Sequence, residues 1–356
     1  MGRGREENIE KASTKTENIM EDLIKEGFKL IGVANVPNHN SFMDTLSKHG
    51  LRRWRAAYGH RPAVLDEAWR QIKSEARKRN MQLKHFFWAM HFMKTYQSED
   101  NLSNTMNTTP KTFREKAKTI IKLLKREMPG VVSQPFFILT SILAPSNVHS
   151  NLKQILWRKR NAECDRREIF KISVDCVDFP MEEPGGKSKS RKKETPIIFK
   201  RLKNGKLSLV DPKWYSKKFN GAGLKWEIGV ALFSDHIVWV RGPYPCGEYG
   251  HDLIIFRETG GLKEALVDAR EMAIGDGTYK DFTISQKGDG NYEWRHAKNR
   301  FRARQESVNG RIKIFNCFNV RWRHSHELHK SAMHAALYLT QVSMDYDSLM
   351  APVEKV

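Results

Sequence analysis

The residues of this 356-residue chain most suited to chemistry are four acids, Asp175, Asp252, Asp276 and Glu306. Asp175 lies in Ile-Phe-Lys-Ile-Ser-Val-Asp-Cys-Val-Asp, residues 169–178, a β-branched run that predicts a buried strand ending in acids. Asp276 follows Met272, Ala273 and Ile274 and is flanked by Gly275 and Gly277, so a second short strand is expected to run into a carboxylate. Around Glu306, Phe301, Val308, Ile312 and Phe315 recur at helical spacing. A helix laid on a sheet edge shared by the two aspartates would bring three carboxylates together. Such an oxygen-only set suits Mg²⁺ or Mn²⁺, with Asp252 as a further candidate ligand. Two ions about 3.5–4 Å apart would favour phosphoryl transfer, one activating an attacking water or 3′-hydroxyl and the other stabilising the leaving oxygen.

Each of these residues also has a structural reading. Asp175 could cap the turn after its strand, and Asp178 could take its place as ligand. Asp252 could be the N-cap of a helix running through Ile255 and Phe256. Glu306 could be a solvent-facing acid among Arg302, Arg304, Arg311 and Lys313, of which Arg311 and Lys313 are candidate phosphate contacts. His324, His326 and His329 do not have zinc-site spacing, and helix capping or packing is expected of them. Cys164, Cys176, Cys246 and Cys317 form no Cys-x-x-Cys pair, so zinc is not expected and a reducing interior is.

The elements that must position these groups divide the chain. Residues 1–20 and 346–356 are expected to be tails. Residues 21–165 read as a mostly helical DNA-binding domain and 166–345 as the catalytic domain, whose sheet would include residues 169–177, 225–232, 237–242 and 271–276. A helix is expected over residues 65–80, and an apolar one over 83–96 containing Phe86, Phe87, Trp88, Met90, Phe92 and Met93. Residues 98–126 resemble a helix-turn-helix, with Thr109 as N-cap and Pro110 opening the second helix. That helix would offer Lys111, Thr112, Arg114 and Lys118 to a major groove while Phe113 and Ile120 pack inward. Residues 182–212 read as a basic insertion loop, whose Gly-rich run 185–193 is a nuclear address, a DNA-backbone contact or a solvated surface loop. Arg52-Arg53-Trp54-Arg55 and Trp157-Arg158-Lys159-Arg160 suit phosphate binding or basic stems packed on an exposed Trp.

Composition points to the same partner. With 62 Lys and Arg against 41 Asp and Glu, the net charge is +21, which implies a polyanion such as double-stranded DNA. No apolar run approaches the roughly 18 residues that span a bilayer, so no membrane association is expected. There is no Gly-x-x-x-x-Gly-Lys-Ser/Thr loop, so nucleotide hydrolysis is not indicated.

In order along the chain, five segments resemble motifs of the PIF/Harbinger-type DDE transposases. They are Val174-Asp175-Cys176-Val177-Asp178-Phe179-Pro180, Lys213-Trp214-Tyr215-Ser216-Lys217-Lys218, Gly250-His251-Asp252 with Phe256, Gly275-Asp276-Gly277-Thr278-Tyr279, and Glu306 to Lys313, which fits Glu-x-x-x-Gly-x-x-Lys. The resemblance spans Phe170 to Leu339, about half the chain. It implies an RNase H-like α/β fold, a mixed sheet flanked by helices, with Asp175, Asp276 and Glu306 as catalytic triad and Asp252 as an additional metal ligand. It also implies two divalent ions, cutting at transposon ends with strand transfer, a nuclear site of action, a homo-oligomer and a Myb-like partner protein. Three departures stand against it: Cys176 replaces a Gly, residues 182–212 are inserted, and the Gly242–Gly250 segment is longer than the family's turn. The alternatives are a domesticated transposase that binds DNA or a partner without cutting, and a nuclease acting on RNA or hybrids.

Overall fold

The computed structural model describes residues 22–32, 48–127, 169–183, 198–201, 207–232, 234–269, 271–281, 283–285 and 292–349. Residues 1–20, the 157–160 basic run, Cys164 and the Gly-rich residues 185–193 lie outside the described residues. The described chain forms two compact units. One takes its residues from 1–128, 314–317 and 331–346, and the other from 129–313, 318–330 and 347–356. The division is therefore not a single cut in the sequence.

The first unit is helical: α1 (residues 22–30), α2 (Lys48–Tyr58), α3 (Pro62–Lys78), α4 (Leu83–Thr95), α5 (Glu99–Thr105) and α6 (Pro110–Arg126), joined from Ser331 onward by the last helix, α10 (His326–Tyr346). The helix expected over 65–80 begins earlier because Pro62 sits in its first turn, where its missing N–H costs nothing. α4 is largely buried, with Lys84, His91 and Lys94 on its partly exposed side, and Phe86, Phe87, Trp88, Met90, Phe92 and Met93 are all buried. Trp54 is fully buried, its ring 5.3 Å from Phe28, 5.0 Å from Tyr58 and 5.5 Å from Phe87. The basic run around it is thus anchored by a core residue, not an exposed one.

α5 and α6 are joined by residues 106–109, in which Asn107 adopts positive φ. Ser98 caps α5 by accepting from Asn101 N–H at 3.3 Å. Thr109 caps α6 by accepting from Thr112 N–H at 3.2 Å, with Pro110 next, as the sequence leads one to expect. Phe113 and Ile120 are buried beneath it.

The second unit is mixed α/β. Its strands are β1 (Ile169–Pro180), β2 (Ile198–Arg201), β3 (Leu207–Val210), β4 (Tyr215–Ser216), β5 (Gly221–Ala231), β6 (Ile237–Pro245), β7 (Glu271–Ile274) and β8 (Ile284–Ser285). Six of them form one sheet in the order β4-β5-β1-β7-β8, with β6 also paired to β5. β5 runs antiparallel to β1, β4 and β6, whereas β7 and β8 continue the sheet parallel to β1. Helices α7 (Asp252–Arg257) and α8 (Leu262–Ala269) connect β6 to β7, and α9 (Tyr292–Ile312) follows β8.

The two faces of the sheet are covered differently. Ile172, Val174, Trp239 and Ala273 pack on Phe256, Leu262 and Leu266 of α7 and α8. Phe170, Met272 and Ile274 pack on Ala297 and Phe301 of α9. A bulge between Phe170 and Ile172 puts those two residues on opposite faces. Every residue of β5 is buried, and Gly229 is there because a Cβ would stand 2.3 Å from Ile172 and 2.9 Å from Trp239.

β2 and β3 pair as an antiparallel ladder from Ile198↔Val210 to Arg201↔Leu207, so the insertion expected as a loop over 182–212 contains a two-stranded sheet. The missed signal is Asn204-Gly205 between two apolar runs, a strong hairpin cue.

Candidate active site

β1 and β7 run parallel, with Ser173 opposite Ile274 as their last paired residues. Two residues further along each strand come Asp175 and Asp276. Neighbouring strands lie about 4.8 Å apart, so the two acids stand at the same level, Asp175 within β1, which runs on to Pro180 paired with β5, and Asp276 just past the end of β7. β1 is also where the sheet switches from antiparallel to parallel, and the α7–α8 crossover lands beside it on β7, the kind of crevice in which open α/β sheets hold ligands.

Asp276 is shaped by its glycine-flanked turn. Its Oδ1 accepts from Thr278 N–H at 2.8 Å and from the Thr278 hydroxyl. That hydroxyl also lies 3.2 Å from Asp252 Oδ2, linking the two aspartates. Asp252 is not the cap of its helix. His251 occupies that position, its Nδ1 accepting from Leu253 N–H at 3.3 Å, and Asp252 follows in the first turn, where a carboxylate is favoured.

Asp175 lies on the sheet face covered by α9, and Asn309 donates to its Oδ2 at 2.9 Å. Arg302 and Lys313 both act electrostatically on Asp175 from the same helix and the residue just past it. Arg302, Glu306 and Asn309 recur at i, i+4 and i+7, one stripe of α9, so Glu306 lies between two residues that reach Asp175. Glu306 itself is exposed.

Asp178, the alternative ligand, lies three residues beyond Asp175 and so on the opposite face of β1. It pairs with Lys225 Nζ at 3.7 Å and accepts from Ser216 at 3.2 Å. Lys225 also reaches Asp252 Oδ1 at 2.5 Å and the Gly250 carbonyl at 3.2 Å.

Charge crowding is strongest at Asp175. Burial, then the negative charges of Asp276 and Asp252, push its carboxyl up to about 6, against the Cys176 N–H and Arg302. Burial works against the Lys225 ammonium, yet Asp178 and Asp252 outweigh it and hold its pKa above the ordinary value. Glu227, also on β5, is fully buried, donated to by Trp239 Nε1 at 2.7 Å and pushed up to about 8 by burial.

The donor set fits a hard divalent cation in its chemistry. It offers only carboxylate oxygens, and two of them repel the charge on a third, a repulsion a bound cation would relieve. The acids are not pre-closed around such an ion. Among the described residues no three His, Cys, Asp or Glu stand as a ready ligand group, and Asp252 has one oxygen on Lys225.

The other singled-out residues fall into place individually. Lys111 is exposed at the start of α6 and Lys118 is half-buried one stripe along. Thr112 is taken up by the cap, and Arg114 is ion-paired to Glu99 of α5. Arg311 donates to the Ser348 carbonyl at 3.4 Å. Lys313 sits 6.0 Å from the Phe179 ring, its pKa lowered by burial and then by Lys218, against the pull of Asp175 and Asp178. His329 is a packing residue, enclosed by Phe179, Trp226, Phe318 and Trp322 and pushed down to about 3 by burial. Cys176 takes part in packing as well, accepting from Tyr279 hydroxyl at 3.3 Å.

Sequence reasoning missed Asn309, Thr278 and Lys225 as site residues. The first two sit inside motif segments, three residues after Glu306 and two after Asp276. Lys225 had a signal of its own: a Lys between Leu224 and Trp226 in an apolar strand is seldom buried without acidic partners. Searches against protein-family models, curated proteins and solved structures found no match to this chain.

Proposed function

We propose that this chain is a divalent-metal-dependent DNA endonuclease and strand-transferase of the PIF/Harbinger transposase type, with an RNase H-like catalytic unit. The observation that carries this reading is the pair Asp175, within β1, and Asp276, just past the end of the parallel β7, with Asn309 of the helix that bears Glu306 donating to Asp175. The strand order adds support: an antiparallel triplet, a helical crossover, two strands parallel to the first, then a closing helix.

In this reading Asp175, Asp276 and Glu306 hold Mg²⁺ or Mn²⁺, which would activate the attacking oxygen and stabilise the leaving one. Asn309 fixes the Asp175 carboxylate from one side. Thr278 fixes Asp276 and keeps its Oδ1 in one orientation. Arg302 and Lys313, close enough to act on Asp175, are placed to meet a phosphate at the acids. Lys111 and Lys118 on α6 contact the duplex backbone, and the overall charge of +21 draws DNA in. The same reading puts the protein in the nucleus, as a homo-oligomer, acting on transposon ends with a Myb-like partner.

A second reading, DNA binding without cutting, is favoured by the absence of a ready three-ligand group among the described residues. The test between them uses a plasmid carrying the gene's own flanking DNA, incubated with Mg²⁺ or Mn²⁺. Cutting by the wild type that is lost in Asp276→Ala supports the nuclease. DNA retention with no metal-dependent cutting by the wild type overturns it in favour of the second reading.

A further inference from the structure

Basic groups gather at the end of the sheet where β1 finishes and β5 begins. Lys217 and Lys218 are exposed in the turn of residues 217–220, which leads from β4 into β5. Arg321 is exposed as well, its Nη2 3.9 Å from where a side chain on Gly221, the first residue of β5, would begin. Its buried neighbour Trp322 fixes it there, donating from its N–H to the Pro180 carbonyl at 3.0 Å and accepting from Glu182 N–H at 2.8 Å. Lys313, just past α9, stands 6.0 Å from the ring of Phe179, which alternation puts on the same face of β1 as Asp175. Among the described residues none of these cations has an ion-pair partner, whereas nearby Lys213 is paired with Glu248 at 3.2 Å.

Lys313 is the most telling of them. Its ammonium is half-buried and has no hydrogen-bond acceptor among the described residues. Lys218 repels it, while Asp175 and Asp178 attract it. Partly burying a cation without an acceptor is unfavourable, and a second cation beside it adds to the cost. A phosphate oxygen between Lys218 and Lys313 would relieve both, supplying the acceptor and the opposite charge together. We infer that Lys217, Lys218, Arg321 and Lys313 form a phosphate-binding strip that seats the backbone of duplex DNA on the α/β unit and leads it towards Asp175. The strip rests on the reading of DNA as partner, and adds to α6 a second contact, made by the unit that carries the acids.

The probe is a fluorescently labelled DNA duplex, titrated with the full chain at several salt concentrations without divalent metal. Lys218→Ala and Arg321→Ala should each weaken binding and lower the salt slope by about one unit, and the double variant by about two. Lys213→Ala should keep the wild-type slope, because Glu248 already meets that charge. Lys218→Ala also removes the repulsion on Lys313, so its urea midpoint should be no lower than that of the wild type, which separates a lost contact from a lost fold. A wild-type slope in the double variant, or an equal loss in Lys213→Ala, would overturn the strip while leaving DNA as the partner. No binding of the duplex by the wild type would overturn the DNA reading itself, and the strip with it. Tighter binding of an RNA duplex of the same sequence would overturn DNA as the occupant.

Discussion

Asp175 concentrates the electrostatics of the site. Its carboxyl is raised from its ordinary value to about 6, by burial first and then by Asp276 and Asp252. Folding therefore binds its proton more tightly than the unfolded chain does, and stability falls as pH rises between the ordinary carboxylate value and about 6. Above that window the full penalty is present, and below it there is none. Asp175→Asn removes the ionisable group and keeps an oxygen for Asn309, so the variant should be more stable than wild type at pH 8, by about 1–3 kcal/mol. The difference should shrink towards pH 4. Urea unfolding at the two pH values, without metal, checks this, and a gap that widens on acidification would contradict it. Asp175 was legible because a β-branched run led into it. Asn309, which donates to Asp175, and Lys225, which pairs with Asp178 and Asp252, were not, since their roles arise only when α9 and β5 are folded against β1.

Elements with strong local chemistry were the most legible. Thr109 and Pro110 mark the start of α6 in sequence and do so in the fold, because side-chain oxygen and fixed φ act within a single turn. Thr109→Ala should cost about 1 kcal/mol in urea unfolding, with Thr109→Ser restoring most of it. Asp252 was misassigned as a candidate cap because sequence does not tell which of two adjacent polar residues turns in; His251 does. The hairpin inside the insertion was hidden behind its basic composition, although Asn204-Gly205 marked it. At Gly229 the demand is tertiary: Ile172 on β1 and Trp239 on β6 close over it from either side. Gly229→Ala should destabilise by about 1–3 kcal/mol through overpacking, read as a lower unfolding midpoint with unchanged denaturant slope.

At the scale of the whole molecule, a net charge of +21 favours a polyanionic partner, and the proposed one is DNA. DNA affinity should fall steeply with salt, and Lys111→Glu and Lys118→Glu should each weaken binding and lower the salt slope by about one unit if each lysine meets a phosphate. Arg114 is a poorer choice, since reversing it would also break its ion pair with Glu99. A fluorescence-anisotropy titration at several salt concentrations measures both quantities, and an unchanged slope would move the DNA contact away from α6. Sequence divided the chain at one point near residue 165, whereas residues 314–317 and 331–346 group with the helical unit. Local pattern cannot report that, because it depends on which surface a late helix finds once the chain has folded.

The central claim is that Glu306 supplies the third carboxylate opposite Asp175 and Asp276. It is exposed, so Glu306→Gln should change stability by no more than about 0.5 kcal/mol. The most direct measurement is Mn²⁺-dependent cutting of flanking-sequence DNA by Glu306→Gln beside the wild type, with DNA retention measured on the same samples. The variant is expected to stay folded, to hold DNA as the wild type does and to lose cutting. Cutting at the wild-type rate by Glu306→Gln would contradict it.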